Sequence, residues 1–367
     1  MTKILFDHQN FSLQKFGGIT RYFAGLIESI KHHPDYSYQL GVLISNNQYI
    51  KNEKLLFENS LIRPFFNAKP SRIYKWNKMY SKYLIRKDNF DVFHPTYYHP
   101  YFLKLIRKPY LLTIHDMTYE VLPEYFEPGD RVPYNKKITC EGAAALIAIS
   151  ESTRNDLINI LNIPPEKIKV IYHGINLNHE LIAEPIAGLP ENYILFVGLR
   201  SSYKNFFRFI KAAAELIHKF NDLHVVCVGG GSFCVADLLA IQRLKIADNC
   251  IQMDVSDTQL NYLYQKASLF VFPSLYEGFG YPLLEAFKAG CPIAASNTSC
   301  IPEIGGDAIA YFNPYETGSI YDAMNSVLND TNARTNYMQK GFERLQLFPI
   351  EKQAEKTLKL YNEIAKG

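Results

Sequence analysis

Short apolar runs alternate with helical stretches along the whole chain, the pattern of parallel sheets with helices on both faces. In the first half they predict strands at 3–7, 39–43, 92–94, 110–114, 145–149 and 168–171. In the second they predict strands at 193–197, 224–228, 251–253, 269–272, 293–295 and 310–312. Residues 178–192 carry two prolines and a glycine without clean periodicity and read as a linker. The expectation is an α/β chain of two Rossmann-like halves, 1–180 and 190–348, facing each other across a cleft. Residues 350–365 read as a charged amphipathic helix that closes the chain.

With 367 residues the chain has room for two ordinary cores, and 47% apolar with 20% charged residues is a globular composition. No apolar run is long enough to span a bilayer, and the start, Met1 to Asp7, lacks the apolar core of a signal peptide, so a cytoplasmic protein is expected. Six scattered cysteines without a C-x-x-C pair read as reduced thiols. The net charge of +3 is unevenly spread: residues 1–183 hold 23 basic and 17 acidic side chains, residues 184–367 hold 16 and 19. Any anionic partner beyond a nucleotide therefore belongs to the first half.

The densest chemistry lies at 273–290. An apolar strand runs into Glu277-Gly278-Phe279-Gly280, and a helix follows with Glu285 inside it. Gly278 and Gly280 let backbone approach a bound group, and the unpaired N–H groups of the helix start suit a phosphate. Glu285 accepts hydrogen bonds only, which fits the paired hydroxyls of a ribose, and Glu277 falls where the sugar end of such a ligand would lie. An acidic helix start that complements the macrodipole is the plainer alternative. Arg200 and Lys204 follow the first strand of the second half, just past Gly198, where open α/β sheets bind ligands. Two cations there can stabilise a departing diphosphate; a solvated loop pair is the alternative. The run Gly229-Gly230-Gly231 lacks dinucleotide-site spacing and is either a close approach to a nucleotide or a loose turn. Gly17 and Gly18 precede a helix near Ile19, a phosphate or acceptor site or a plain turn, and residues 10–16 would border the acceptor.

These residues resemble a known family. Glu277-Gly-Phe-Gly-x-x-x-x-Glu285 with Ala289-Gly290-Cys291-Pro292 is similar to the E-x7-E signature of the family 4 retaining glycosyltransferases, which have the GT-B fold. The likeness extends through Gly17-Gly18, Thr113-Ile114-His115-Asp116, Ile149-Ser150-Glu151-Ser152, His173-Gly174-Ile175, Val197-Gly198-x-Arg200, Lys204-Asn205 and Ile301-Pro302-Glu303. It implies that the final helix, 349–367, packs back on the first half. It also implies that His115 contacts the donor sugar or its phosphate, a role for which Asp116 or a backbone group would fix the ring. In better-known members the arginine directly follows the glycine, whereas here Leu199 intervenes.

The chain has no D-x-D pair and no zinc spacing, so no metal or other cofactor is expected and cations with helix ends must stabilise the diphosphate. The resemblance implies front-face departure and attack, with the leaving phosphate taking the acceptor proton. Residues 67–87 carry Lys69, Arg72, Lys75, Lys78, Lys82, Arg86 and Lys87 and no acid. On a helix, Arg72, Lys75, Lys78, Lys82 and Arg86 share a face, with Ile73, Trp76, Tyr80, Tyr83 and Leu84 largely on another. The basic face either meets anionic lipid, which would make the acceptor lipid-linked, or is merely solvated.

The expected function is transfer of a sugar from a GDP- or UDP-linked donor, mannose-type by preference, to a saccharide or lipid-linked acceptor in surface polysaccharide synthesis, with no nucleic acid involved. The alternatives are a nucleotide-sugar 2-epimerase of the same fold and a catalytically silent carbohydrate-binding protein.

Overall fold

A computed structural model describes residues 1–57, 70–178, 180–200 and 202–366. Lys69 of the basic stretch and His179 of the expected linker lie outside the described residues. The chain forms two compact units, one of Met1–Glu120, Phe126–Gly174 and Glu351–Gly367, the other of Val121–Tyr125 and Ile175–Ile350.

In the first unit, β1 (Thr2–Phe6), β2 (Tyr36–Leu40) and β3 (Val92–His94) pair in the order β2-β1-β3. Strands β4 (Leu111–Ile114), β5 (Ala145–Ala148) and β6 (Ile168–Val170) pair as β4-β5-β6, and a parallel bridge from Phe93 to Tyr110 joins the two sets. All these pairs are parallel. Helices α1 (Gly18–Lys31) and α2 (Pro70–Lys87) belong to this unit. Ile4, Phe6, Phe23 and Ile147 lie fully or almost fully buried in one core with helix residues Leu26 and Ile27. Each fully buried side chain of this size contributes about 1.5–3 kcal/mol.

Strand β2 ends at Leu40, three residues short of the expected end at 43. Its edge position leaves Tyr36–Leu40 half-buried, and the apolar run beyond leaves the ladder to pack under α2. There the buried Asn77 accepts the N–H groups of Leu43 and Ile44 and donates to the Ile44 carbonyl, while Ser81 donates to the Gly41 carbonyl. Side chains of a helix thus replace a sheet partner for this backbone.

The second unit holds a six-stranded parallel sheet, ordered β12-β11-β10-β7-β8-β9. The strands are β7 (Tyr193–Val197), β8 (His224–Val228), β9 (Cys250–Met253), β10 (Leu269–Phe272), β11 (Ile293–Ser296) and β12 (Ala310–Phe312). Helices α3 (Phe206–Lys219), α4 (Val235–Arg243) and α5 (Tyr281–Ala289) follow β7, β8 and β10. Phe196, Phe206 and Phe209 pack at its centre, ring centres 5.4–6.2 Å apart, with Phe209 stacked on Phe196. Strand order reverses between β7 and β10, so the C-terminal ends of these two strands flank the switch point where open sheets take ligands.

The last helix, α6 (Ile350–Lys366), lies on the first unit, where Leu358, Leu360 and Tyr361 are in its core. The Tyr361 hydroxyl meets His94 Nδ1 at 2.6 Å with both side chains buried, and Gln353 accepts the Gly174 N–H at 2.6 Å. Tyr361→Phe leaves His94 Nδ1 buried without that partner and should cost about 1–3 kcal/mol. The urea midpoint should fall at constant slope; an unchanged midpoint would remove this bond from what holds α6 in place.

Candidate functional site

At the switch point of the second unit, two loops are zipped together. The Leu275 N–H donates to the Tyr203 carbonyl at 2.8 Å, and the Asn205 amide donates to the carbonyls of Pro273 and Pro314. This brings Lys204 Nζ to 2.5 Å from Glu277 Oε1, both partly buried. The Glu277 backbone N–H donates to Ser299 Oγ at 3.0 Å, fixing the carboxylate's attachment point. Gly198 takes φ 140 and lies beside the second glycine loop, where a Cβ on Gly229 would meet the Gly198 carbonyl at 3.4 Å.

Arg200 is placed differently from Lys204. Its Nε donates to Asp237 at 3.1 Å, Nη1 to the Gly229 carbonyl at 2.6 Å, and Nη2 to the carbonyls of Gly231 at 2.5 Å and Ser232 at 2.9 Å. The side chain is buried, and Phe233 covers the guanidinium at 5.0 Å. The expectation places Arg200 at the diphosphate; in the structure its guanidinium is held by Asp237 and by a glycine loop whose left-handed backbone turns carbonyls toward it. The triple glycine is thereby a fixed turn rather than a loose one. Asp237 also accepts the Cys234 N–H in a capping box at the start of α4.

Helix α5 begins after Gly280, which caps it at φ 88, and Pro282 sits in its first turn. Gly278 and Phe279 are buried in the approach, with Phe279 edge-on to Phe348 at 5.9 Å. Glu285 lies one turn inside the helix, and Oε2 accepts from the fully buried Tyr264 hydroxyl at 3.4 Å. Ser299 and Tyr264, which hold the two glutamates, went unrecognised because each lies far from them in sequence.

In the first unit His115 follows β4, buried, with its backbone N–H on the Tyr98 hydroxyl at 3.0 Å. Its ring stacks on His173 at 5.8 Å and meets Tyr22 edge-on, and its buried Nε2 has no hydrogen-bond partner. Asp116 does not hold the ring; its carboxylate accepts from the Thr118 N–H and its carbonyl from Lys136. Gly17 caps α1 and Gly18 is its first residue, where a Cβ would meet nothing within 4 Å.

Residues 17–179 match Glycosyltransferase Family 4 and residues 180–344 match Glycosyl transferases group 1, together most of the chain. The chain belongs to the family 4 glycosyltransferases. It is similar to the O-antigen chain mannosyltransferase B of Escherichia coli, 27% identical over 282 residues that cover 73% of this chain and 72% of that one. It is also 27% identical over 228 residues to the O-antigen chain mannosyltransferase RfbU of Salmonella typhimurium, covering 61% of this chain and 63% of that relative's length. The solved structure of Anabaena HepE in complex with UDP and glucose superposes with a TM-score of 0.73 over 99% of both chains at 16% identity. That likeness shows the fold, GT-B, with parallel sheets in two Rossmann-like domains.

In this glycosyltransferase α2 does not divide its faces as expected. Ile73, Leu84 and Ile85 are buried together with the polar Asn77 and Ser81, whereas Trp76, Met79 and Tyr83 are exposed beside Lys75 and Arg86. Lys78 leaves the basic stripe: its Nζ lies 3.3 Å from His99 Nε2 and within 6.0 Å of the Tyr74 and Tyr101 ring centres. The reason is that Asn77 and Ser81 are needed inward for the 41–44 backbone, which rotates the aromatic positions outward. Four of the six cysteines are buried, Cys250 is half-buried and Cys234 is exposed, and all six are free. Among the described residues no helix is long and apolar enough to cross a membrane.

Burial alone lowers the His94 imidazole to about 3, and burial with nearby charge lowers His115 to about 3 and His8 to about 4. His173 is pushed well below the usual value by burial and by His115. These rings stay neutral in the folded transferase while the unfolded chain takes up protons near the ordinary value of 6.5. Their stabilising contribution is complete above that value and is lost as pH falls toward the folded values, by about 1.4 kcal/mol per histidine per pH unit. Urea midpoints should therefore drop steadily between pH 7 and pH 5; a flat profile would contradict the buried neutral state.

Proposed function

We propose that this transferase moves a hexose, mannose-type by preference, from a GDP- or UDP-linked donor to a saccharide or lipid-linked saccharide in surface polysaccharide synthesis, with retention at the anomeric carbon and without a metal. The observation that carries the reading is the Lys204–Glu277 pair at the switch point, four residues before the glycine-capped start of α5. The relatives named above are O-antigen mannosyltransferases, and HepE holds UDP and glucose. Neither the epimerase nor the silent binding protein has a counterpart among them.

In this reading Glu285 accepts from the ribose hydroxyls, and the diphosphate meets Lys204 Nζ near the positive end of the α5 dipole. Glu277 orients the sugar and is released from Lys204 as the phosphate arrives. His115, neutral across the physiological range, offers its Nε2 to the sugar or its phosphate as a hydrogen-bonding group rather than a charge. The bond from C1 to the diphosphate oxygen breaks while the acceptor oxygen bonds C1 on the same face. The acceptor proton passes to the leaving phosphate, so no enzymic base is required. Arg200 acts here only by shaping the Gly229–Gly231 turn.

Glu285→Gln should weaken binding of the free nucleoside diphosphate by about 1.5–3 kcal/mol, read by calorimetry. Lys204→Ala should lower turnover about a hundredfold, and wild-type turnover should survive excess chelator. Unchanged nucleotide affinity in the first variant, or near-normal turnover in the second, would overturn those roles.

The same reading seats α2 on an anionic membrane at the inner face, with Trp76, Met79 and Tyr83 entering the interface and Arg72, Lys75, Lys82 and Arg86 meeting phosphates. Each cation near the surface contributes about 1 kcal/mol, diminishing with salt. Trp76 is the only tryptophan in the chain and reports directly. Its emission should shift to the blue with phosphatidylglycerol vesicles at low salt, and the triple change Lys75→Glu, Lys82→Glu, Arg86→Glu should abolish the shift. Equal, negligible response to anionic and neutral vesicles would leave the solvated face as the reading.

A further inference from the structure

The first unit has a switch point of its own, between the C-terminal ends of β1 and β3, and a cluster of cationic and aromatic side chains occupies it. Asp7 and His8 follow β1, residues 96–101 follow β3, and α2 brings Tyr74, Lys78 and Ser81 against them. Asp7 is saturated: it accepts from the backbone and side chain of both Gln9 and Thr96 and from the Tyr101 hydroxyl. It therefore organises the loops and has no bond left for a ligand cation.

Among the remaining polar groups, Lys78 and His99 turn donors toward one another, the arrangement an anion accepts from, while His8 meets an anion only once protonated. The Tyr101 N–H donates to His99 Nδ1 at 3.1 Å, so the proton of the neutral ring is on Nε2. That N–H faces Lys78 Nζ at 3.3 Å, two donors toward one another with no acceptor between them. Ser81 spends its hydroxyl proton on the Gly41 carbonyl, so His8 Nδ1 donates to Ser81 Oγ and its buried Nε2 keeps an unpaired lone pair. Arg131 and Lys82 add positive potential at His99 and Lys78, and the Asp7 carboxylate acts on both histidines. Burial lowers the proton affinity of Lys78, His99 and His8, and a bound anion would raise it again.

We propose that Lys78 and His99, backed by His8, form an anion subsite at the switch point of the first unit that takes the phosphate or diphosphate of the acceptor. One phosphate oxygen between Lys78 Nζ and His99 Nε2 accepts from both donors, and its charge draws a proton onto His8. Lys78 sits on the inward flank of the helix whose outer flank carries Trp76, Met79 and Tyr83, so a phosphate attached to a lipid carrier suits the position. The inference rests on the transferase reading and names the part of the acceptor that the first unit recognises.

The test uses the full chain with 15N-labelled histidine and excess GDP and UDP to fill the nucleotide site. Geranyl diphosphate, inorganic pyrophosphate and geraniol are titrated separately while the ring nitrogens of His8 and His99, assigned with His8→Gln and His99→Gln, are followed by NMR. Geranyl diphosphate should move both rings and geraniol neither. Pyrophosphate moving them equally well would assign the subsite to the anion alone, and weaker pyrophosphate binding would assign it to a lipid-borne one. Lys78→Gln should weaken geranyl diphosphate about tenfold, the loss of one charged contact, and Lys78→Arg should recover most of it. Unmoved rings, an equal response to geraniol, or wild-type affinity in Lys78→Gln would each overturn the subsite. Donor hydrolysis by the wild type, measured separately, distinguishes the two failures: hydrolysis without probe binding sinks only this inference, and absent hydrolysis sinks the transferase reading.

Discussion

Every strand pair described in this chain is parallel, and that constraint arranges the rest. A parallel neighbour cannot be reached by a hairpin, so each strand is followed by a crossover that collects the loops at the carboxyl ends of the strands. Gly198, Lys204, Gly229–Gly231 and Glu277 leave β7, β8 and β10 at that edge, and His8, His99 and His115 do so in the first unit. Groups remote in sequence become neighbours without any element being distorted. Order reversal at one place in each unit then opens a gap between two such loops, which polar side chains fill.

The loops also show how charge is managed when sheets are buried on both faces. Lys204 and Glu277 stay partly exposed and hold one another, so an incoming phosphate can exchange for the carboxylate at modest cost. Arg200 and Asp237 are almost fully buried, where removing one partner leaves an uncompensated charge and is strongly destabilising. Two cations four residues apart thus differ in kind, and burial decides which is available for chemistry.

All twelve expected strands are present, because buried parallel strands are short continuous apolar runs and the signal is local. Only β2 is displaced, since an edge strand is half-exposed and the apolar run after it packs under a helix. The glycine turn, Glu277 and Glu285 were legible for the same local reason. The fate of Arg200 was not: its partners lie about thirty residues away, and no local pattern distinguishes a guanidinium that binds carbonyls from one that binds phosphate. Helix α2 misled because Asn77 and Ser81 look like surface residues until the 41–44 backbone needs them. His8 and His99 carry no motif at all, and only their meeting around Tyr74 and Tyr101 makes them visible.

The hold of Arg200 on the Gly229–Gly231 turn has a consequence for how such a protein can change over generations. Three successive glycines with left-handed φ hold this turn only while something donates to their carbonyls, and the arginine is satisfied only while the turn presents them. Substituting either segment alone removes support from the other, so their effects on stability will not add. Homologous enzymes should exchange these two segments as a pair or not at all, and a library that randomises the glycine loop while keeping residue 200 fixed samples mostly unfolded loops.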